Sequence, residues 1–293
     1  MLRRVTTLLA AFAMAIGLAV FIPSTASAAA CAAAWNSSSV YTGGMAASYN
    51  GRNYQAKWWT QNERPGSADV WADQGTCTGG GGGNPQPSGF VVSEAQFNQM
   101  FPGRNSFYSY SGLTAALSAY PAFAKTGSDT VKKQEAAAFL ANVSHETGGL
   151  VHIVEQNTAN YPHYCDRSQP YGCPAGQAAY YGRGPIQLSW NFNYKAAGDA
   201  LGINLLADPW RVERESAVAW KTGLWYWNTQ NGPGTMTPHN AMVNGRGFGE
   251  TIRSINGSLE CNGGNPGQVQ SRVTKYQQFT QILGVTPGGN LYC

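Results

Sequence analysis

The run Val131-Lys132-Lys133-Gln134-Glu135-Ala136-Ala137-Ala138-Phe139-Leu140-Ala141-Asn142-Val143-Ser144-His145, followed by Glu146-Thr147-Gly148-Gly149, decides the fold of the larger part of this chain. It is rich in alanine, the best helix former, and sets Phe139, Leu140 and Val143 at helical spacings. These features predict a helix over 131–145. Gly148 and Gly149 supply the stop, because glycine takes the left-handed conformation that closes a helix at no steric cost. Glu146 therefore stands at a helix C-terminus, next to His145. A His-Glu pair on a helix invites a zinc-protease reading, but that motif needs a second His four residues after the first, and position 149 is Gly.

Outward from this helix, Pro209 to Trp227 and Ser271 to Leu283 read as further helices. The loops between, such as Asn157 to Pro174 and Asn231 to Gly249, are rich in Gly, Asn, Tyr and Pro. Long loops on a helical frame are where binding clefts are usually built. Glu155 lies beyond the glycine stop, on such a loop. Hydrolysis of a glycosidic bond needs one carboxylic acid to protonate the leaving oxygen and a carboxylate on the other side of the sugar. A Glu on a rigid helix and another on the following loop can supply that pair, although spacing alone fits two surface glutamates as well. Glu213 and Glu215, among Arg211, Arg214 and Lys221, read as an ordinary charged helix face. The run from Tyr181-Gly182-Arg183-Gly184-Pro185 through Gln187, Ser189 and Asn193 to Tyr194 sets neutral hydrogen-bonding groups beside aromatic faces. That combination suits an uncharged sugar polymer, and equally a turn that satisfies its own backbone. There is no Gly-x-Ser-x-Gly nucleophile motif.

The N-terminal third is organised differently. Residues 1–28 read as a signal peptide, with basic Arg3 and Arg4, an apolar stretch from Leu8 to Ile22 and small residues at Ala26-Ser27-Ala28. The expected mature protein is secreted, with no membrane span, and 17 Lys and Arg against 15 acids leave it at +2. Such a weak charge, with no basic run, argues against nucleic acid. Residues 78–88 hold five consecutive glycines and two prolines and read as a linker. It separates a module at 29–77 from one at 89–293. The small module alternates aromatic and polar residues around Asn50-Gly51, which predicts short strands and a hairpin. If Trp58 and Trp59 lie in a strand they point to opposite faces, and a module this small leaves at least one of them exposed.

Six cysteines, an even number in an oxidising compartment, allow fifteen pairings, and the sequence alone does not choose among them. The module division favours three local bridges, Cys31 with Cys77, Cys165 with Cys173 and Cys261 with Cys293. Nothing in the cysteine or histidine spacing resembles a zinc site, and neither metal nor cofactor is expected.

Through Ser144-His145-Glu146-Thr147-Gly148-Gly149, the stretch Tyr180 to Tyr194, Ile255-Asn256-Gly257 with Glu260-Cys261, and Ile282-Leu283-Gly284-Val285, the larger module resembles glycoside hydrolase family 19, the chitinases of plants and actinobacteria. The resemblance implies a mainly α-helical, lysozyme-like fold and an endo-chitinase that inverts the anomeric centre. It implies Glu146 as general acid and Glu155 as general base, with Ser189 helping to hold the attacking water. His145, Gln187, Asn193 and Asn256 would contact the sugars and Arg272 would bear on the carboxylates. The bridges Cys165–Cys173 and Cys261–Cys293 match the family's. Phe192 departs from the plant pattern, which has Tyr, and the loops before the first helix and near 235–248 are shorter. Through Trp35, Tyr41, Tyr54, Ala56-Lys57-Trp58-Trp59-Thr60, Asn62 and Pro65-Gly66 the small module resembles carbohydrate-binding module family 5, whose adjacent tryptophans stack on crystalline chitin. Trp35 is expected in the core, and Trp58 and Trp59 at the ligand. The expected partner is chitin, taken by a monomer. A peptidoglycan hydrolase of the lysozyme-like fold and a non-catalytic chitin-binding protein are the alternatives.

Overall fold

The computed structural model describes residues 29, 31–32, 35, 39–49, 51–77 and 90–293; the expected signal peptide and linker lie outside them. The chain divides into two compact units, Met1–Gly83 and Asn84–Cys293.

The first unit is built of short antiparallel strands. β1 (Val40–Tyr41) pairs with β4 (Thr60–Gln61), and β2 (Ala46–Tyr49), β3 (Arg52–Ala56) and β5 (Trp71–Thr76) form a three-stranded sheet in the order β2-β3-β5. The β2–β3 hairpin turns at Gly51, which has a positive φ of 72°. Tyr41, Ala47, Tyr54, Ala56, Val70 and Trp71 form the core, with Trp35 packed against it edge-on to Tyr49. Trp71 is fixed at both ends, by an edge-on contact with Tyr41 at 5.0 Å and by its indole N–H, which donates to the Glu63 carbonyl. Cys31 and Cys77 are bonded, closing the unit. Trp58 and Trp59 lie between β3 and β4 rather than in a strand, so the opposite-face rule does not act on them. Both are exposed, at 55% and 60%.

The second unit is mainly α-helical. Its elements are α1 (Glu94–Met100), α2 (Tyr110–Ala116), α3 (Asp129–Glu146), α4 (Asn191–Leu201), α5 (Arg211–Arg214), α6 (Ser216–Thr229), α7 (Pro238–Val243), α8 (Phe248–Glu260) and α9 (Pro266–Ile282), with 3₁₀ segments at Leu117–Ala119 and Thr158–Tyr164. α3 is the axis of the unit. Ser128 caps its start, accepting from the Val131 N–H, and Asp129 stands in its first turn, where an anion suits the helix dipole. From Glu135 to Ser144 every residue is buried, so the helix has no polar face there. Its alanines let α9 and α7 approach closely, while Phe139 reaches Phe123, Trp220 and Trp227.

Two expected helices differ in their limits. The helix expected over 209–227 is divided at Glu215, whose extended backbone (φ −119°, ψ 103°) separates α5 from α6. α9 begins at Pro266, five residues before the expected start, because Pro266 at its first position and the Asn265 side chain set its N-terminus. α8 is kinked at Asn256 (φ −144°, ψ 28°). Cys165–Cys173 and Cys261–Cys293 are bonded, and no described cysteine is free.

Candidate active site

α3 delivers Glu146 as its last residue. Thr147 caps the end, its hydroxyl donating to the Val143 carbonyl at 2.6 Å and accepting from the Leu150 N–H at 2.7 Å. Gly148 and Gly149 follow with φ of 62° and 86°, and the Gly149 N–H returns to the Ser144 carbonyl. A carboxylate at this end of a helix faces the negative pole of the dipole and needs a counter-charge. Arg272, on α9, provides it: its Nη2 donates to Glu146 Oε1 at 2.5 Å.

Arg272 is 1% exposed and serves four acceptors. Its Nε and Nη2 grip both oxygens of Glu260 at 2.8 and 2.7 Å, and Nη1 donates to Asn142 Oδ1 at 3.1 Å. Asn142 is itself held by Thr251 and the Ala138 carbonyl. Glu260 is fully buried and accepts a further bond from the Asn256 amide at 2.8 Å, made where α8 kinks. Burial pushes the Glu260 carboxyl up, but the hydrogen bonds and charge of Arg272, with Asn256, outweigh it and hold the group below its usual range. The arrangement is one buried guanidinium shared by two carboxylates, one sealed in the core and one, Glu146, facing outward with 19% of its side chain exposed. His145 sits beside it with Nδ1 3.2 Å from Ser271 Oγ. Burial first, and then the charge of Arg272, keep its pKa below the ordinary histidine value.

Glu155 is held by a separate set of partners. Its Oε1 accepts from Asn160 Nδ2 at 2.8 Å and from the Tyr164 hydroxyl at 3.0 Å, both on the 3₁₀ segment. Burial, followed by the Glu155 hydrogen bond and charge, pushes Tyr164 up to about 12, so its hydroxyl stays a donor. The Tyr161 hydroxyl donates to the Glu155 carbonyl at 2.9 Å, and the Glu155 N–H donates to the Gly182 carbonyl at 2.9 Å.

That last bond ties Glu155 to the 180–190 loop. Gly184, with φ 73°, packs against Val212 and Ala219, where a Cβ would press on both. Gln187 turns its amide nitrogen back onto the Gly184 and Ile153 carbonyls, at 3.0 and 3.4 Å. The Ser189 hydroxyl donates to the Gln187 carbonyl at 3.1 Å, and Asn193, in the first turn of α4, donates to the Ser189 carbonyl at 3.0 Å. Trp190, exposed and at a positive φ of 75°, stacks on Phe192 and meets Tyr164 edge-on. Asn191, fully buried, accepts from the Asp166 N–H and donates to the Asp166 and Gly172 carbonyls, clamping the loop closed by Cys165–Cys173.

The structure thus links Glu146 and Asn256 through Arg272 and Glu260, with His145 beside them bonded to Ser271, and ties Glu155 through its backbone to the loop that carries Gln187, Ser189 and Asn193. Sequence reading missed Asn142, Asn160 and Tyr164, which support the carboxylates, and it missed Glu213. The residue read as part of a plain charged face accepts from buried Arg183 at 2.6 Å and from the Tyr181 hydroxyl at 3.1 Å. Among the described residues no group of His, Cys, Asp and Glu could hold a metal ion, and no helix is long and apolar enough to cross a membrane.

The family model for class I chitinases, glycoside hydrolase family 19, matches residues 91–293, and that for carbohydrate-binding module family 5/12 matches residues 34–72. The chain is 78% identical to chitinase C from Streptomyces griseus, whose crystal structure superposes with a TM-score of 0.69 over 90% of this chain and 100% of that one. A class IV family 19 chitinase from Zea mays is 46% identical, with a TM-score of 0.62 over 69% of this chain and 98% of that one. Endochitinase A of Zea mays is 47% identical over 211 residues, 69% of this chain and 71% of that protein.

Proposed function

The chain belongs to glycoside hydrolase family 19, the class I chitinases, and from that premise we propose a secreted endo-chitinase that cleaves β-1,4 links between N-acetylglucosamine units with inversion. The observation that carries this reading is the separate support of two carboxylates. Glu146 lies on Arg272 at the end of α3, and Glu155 lies on Asn160 and Tyr164 in the loop beyond.

Glu146 gives its proton to the leaving glycosidic oxygen as the bond to C1 breaks. Arg272 stabilises the anion left behind, and Glu260 on its other side offsets the charge of the guanidinium. Glu155 takes a proton from a water held also by the Ser189 hydroxyl, and the resulting hydroxyl bonds C1 from the opposite face. The product is the α-anomer, and solvent returns both carboxyl groups to their starting protonation. His145, Gln187, Asn193 and Asn256 line the sugars. In the module at 29–77, the exposed Trp58 and Trp59 stack on the flat faces of insoluble chitin. Residues 1–28 direct export, 78–88 link the module to the enzyme at 89–293, and the protein works as a monomer without a cofactor.

Glu146→Gln keeps the shape of the side chain and removes its proton. It is expected to abolish turnover of chitin oligomers while leaving their binding intact. NMR of the first-formed product should show the α-anomer; a β-anomer would refute the inverting mechanism, and turnover of bacterial cell walls in place of chitin would overturn the substrate.

A further inference from the structure

We propose that Arg183 is a positioning residue that sets Glu155 and Ser189 at the separation needed to hold one water between them; this rests on the mechanism proposed above. The backbone of Arg183 forms antiparallel bridges both to Val154 and to Leu188, the residues immediately before Glu155 and Ser189. Arg183 and Leu188 exchange N–H···O bonds of 3.1 and 2.9 Å, while the flanking Gly184 N–H reaches the Ile153 carbonyl at 2.8 Å and the Glu155 N–H reaches Gly182 at 2.9 Å. One residue is therefore the middle strand between the two groups.

Its side chain fixes that strand from below. Arg183 is fully buried. Nε donates to Glu213 Oε2 at 2.6 Å, and Nη1 donates to the Ala179 carbonyl at 2.7 Å, the Tyr194 hydroxyl at 2.8 Å and the Tyr181 carbonyl at 3.3 Å. The guanidinium carbon lies 3.5 Å from the Tyr181 ring centroid. Tyr181 stacks on Tyr161 at 3.7 Å and 10°, and the Tyr161 hydroxyl donates to the Glu155 carbonyl at 2.9 Å. A second path thus runs from the same side chain to the same glutamate, through two stacked rings. The planar fork serves its acceptors and the ring together, which an ammonium on a flexible stem does not reproduce.

The test is steady-state kinetics on soluble chitin oligomers, with oligomer Kd measured separately by calorimetry. In Arg183→Lys, displacement of the two groups by about 1 Å should lower kcat about 100-fold, with Kd unchanged. The loss should persist on a substrate with an activated nitrophenyl leaving group, which has no need of Glu146. Glu213→Gln removes the ion partner, leaves Arg183 in place and serves if the lysine variant does not fold; about a tenfold loss with the same signature is expected. Wild-type kcat in both variants, a Kd that weakens in step with kcat, or recovery on the activated substrate would each overturn the proposal. Glu155→Gln is the control: if it is inactive while the Arg183 and Glu213 variants are normal, only the positioning role fails. Full activity of Glu155→Gln would instead remove the assigned base, and this role with it.

Discussion

Replacing Arg272 with methionine tests the electrostatic design of the site. The substitution keeps an unbranched chain of similar reach and deletes the charge. Arg272 is 1% exposed and holds Glu260, whose side chain is fully buried, through two charge-assisted bonds, and Glu146 through a third. Removing one partner of a buried ion pair costs about 3–5 kcal/mol, because the remaining charge loses its compensation. For a domain of this size each kcal/mol lowers Tm by roughly 2–4 °C, so the melting point should fall by about 6–20 °C. The loss should also depend on pH. In the native protein the Glu260 carboxyl is held below its usual range, so it adds stability that is present above its unfolded pKa and lost as pH falls through its folded one. Without Arg272 burial, the largest influence on that carboxyl, is opposed mainly by the Asn256 hydrogen bond and raises it, so the variant is penalised increasingly as pH climbs above about 4. The gap between the two proteins should therefore be small near pH 4 and full at pH 7 to 8, read from urea unfolding at each pH. The double variant Arg272→Met, Glu260→Met should recover most of the deficit, leaving about 1–2 kcal/mol for the unpaired Asn142 and Asn256 amides. A deficit below about 1 kcal/mol at neutral pH, or one flat across pH, would refute the reasoning.

Trp58→Ala and Trp59→Ala should each weaken adsorption to insoluble chitin at least about tenfold, as expected for exposed aromatic anchors, and spare kcat on soluble oligomers; pull-down isotherms beside oligomer assays check both. His145 is held below its ordinary pKa, so the unfolded chain takes up a proton that the native site resists. Stability should decline as pH falls from about 6.5, and His145→Gln should remove that part of the slope in denaturation midpoints between pH 7.5 and 5.5.

Much of this was legible in local patterns. The alanine-rich run and its glycine stop located α3 within two residues and set Glu146 at its end, since both features act over a single helix. The size of their module predicted the exposure of at least one of Trp58 and Trp59, and the family resemblance pointed to both. What escaped was mostly long-range. Arg272 meets Asn142 and Glu146 across 130 and 126 residues, and such pairings leave no periodicity to read: the family resemblance pointed to Arg272 and the carboxylates, and nothing pointed to Asn142. Glu213 carries the same local signature as Glu215, yet one binds the buried Arg183 and the other the exposed Arg211. The kink in α8 was hidden for a related reason. Its benefit, the bond from Asn256 to Glu260, arises only once Arg272 has fixed that carboxylate.

The three-stranded tie through Arg183 has a consequence for motion. Glu155 and Ser189 hang from neighbouring rungs of one small ladder, so thermal displacements carry them together as a single body. Glu146 rides on α3, which has no part in that ladder. Under the roles proposed above, a shift of α3 against this ladder would change the separation of Glu146 from Glu155 more than that of Glu155 from Ser189.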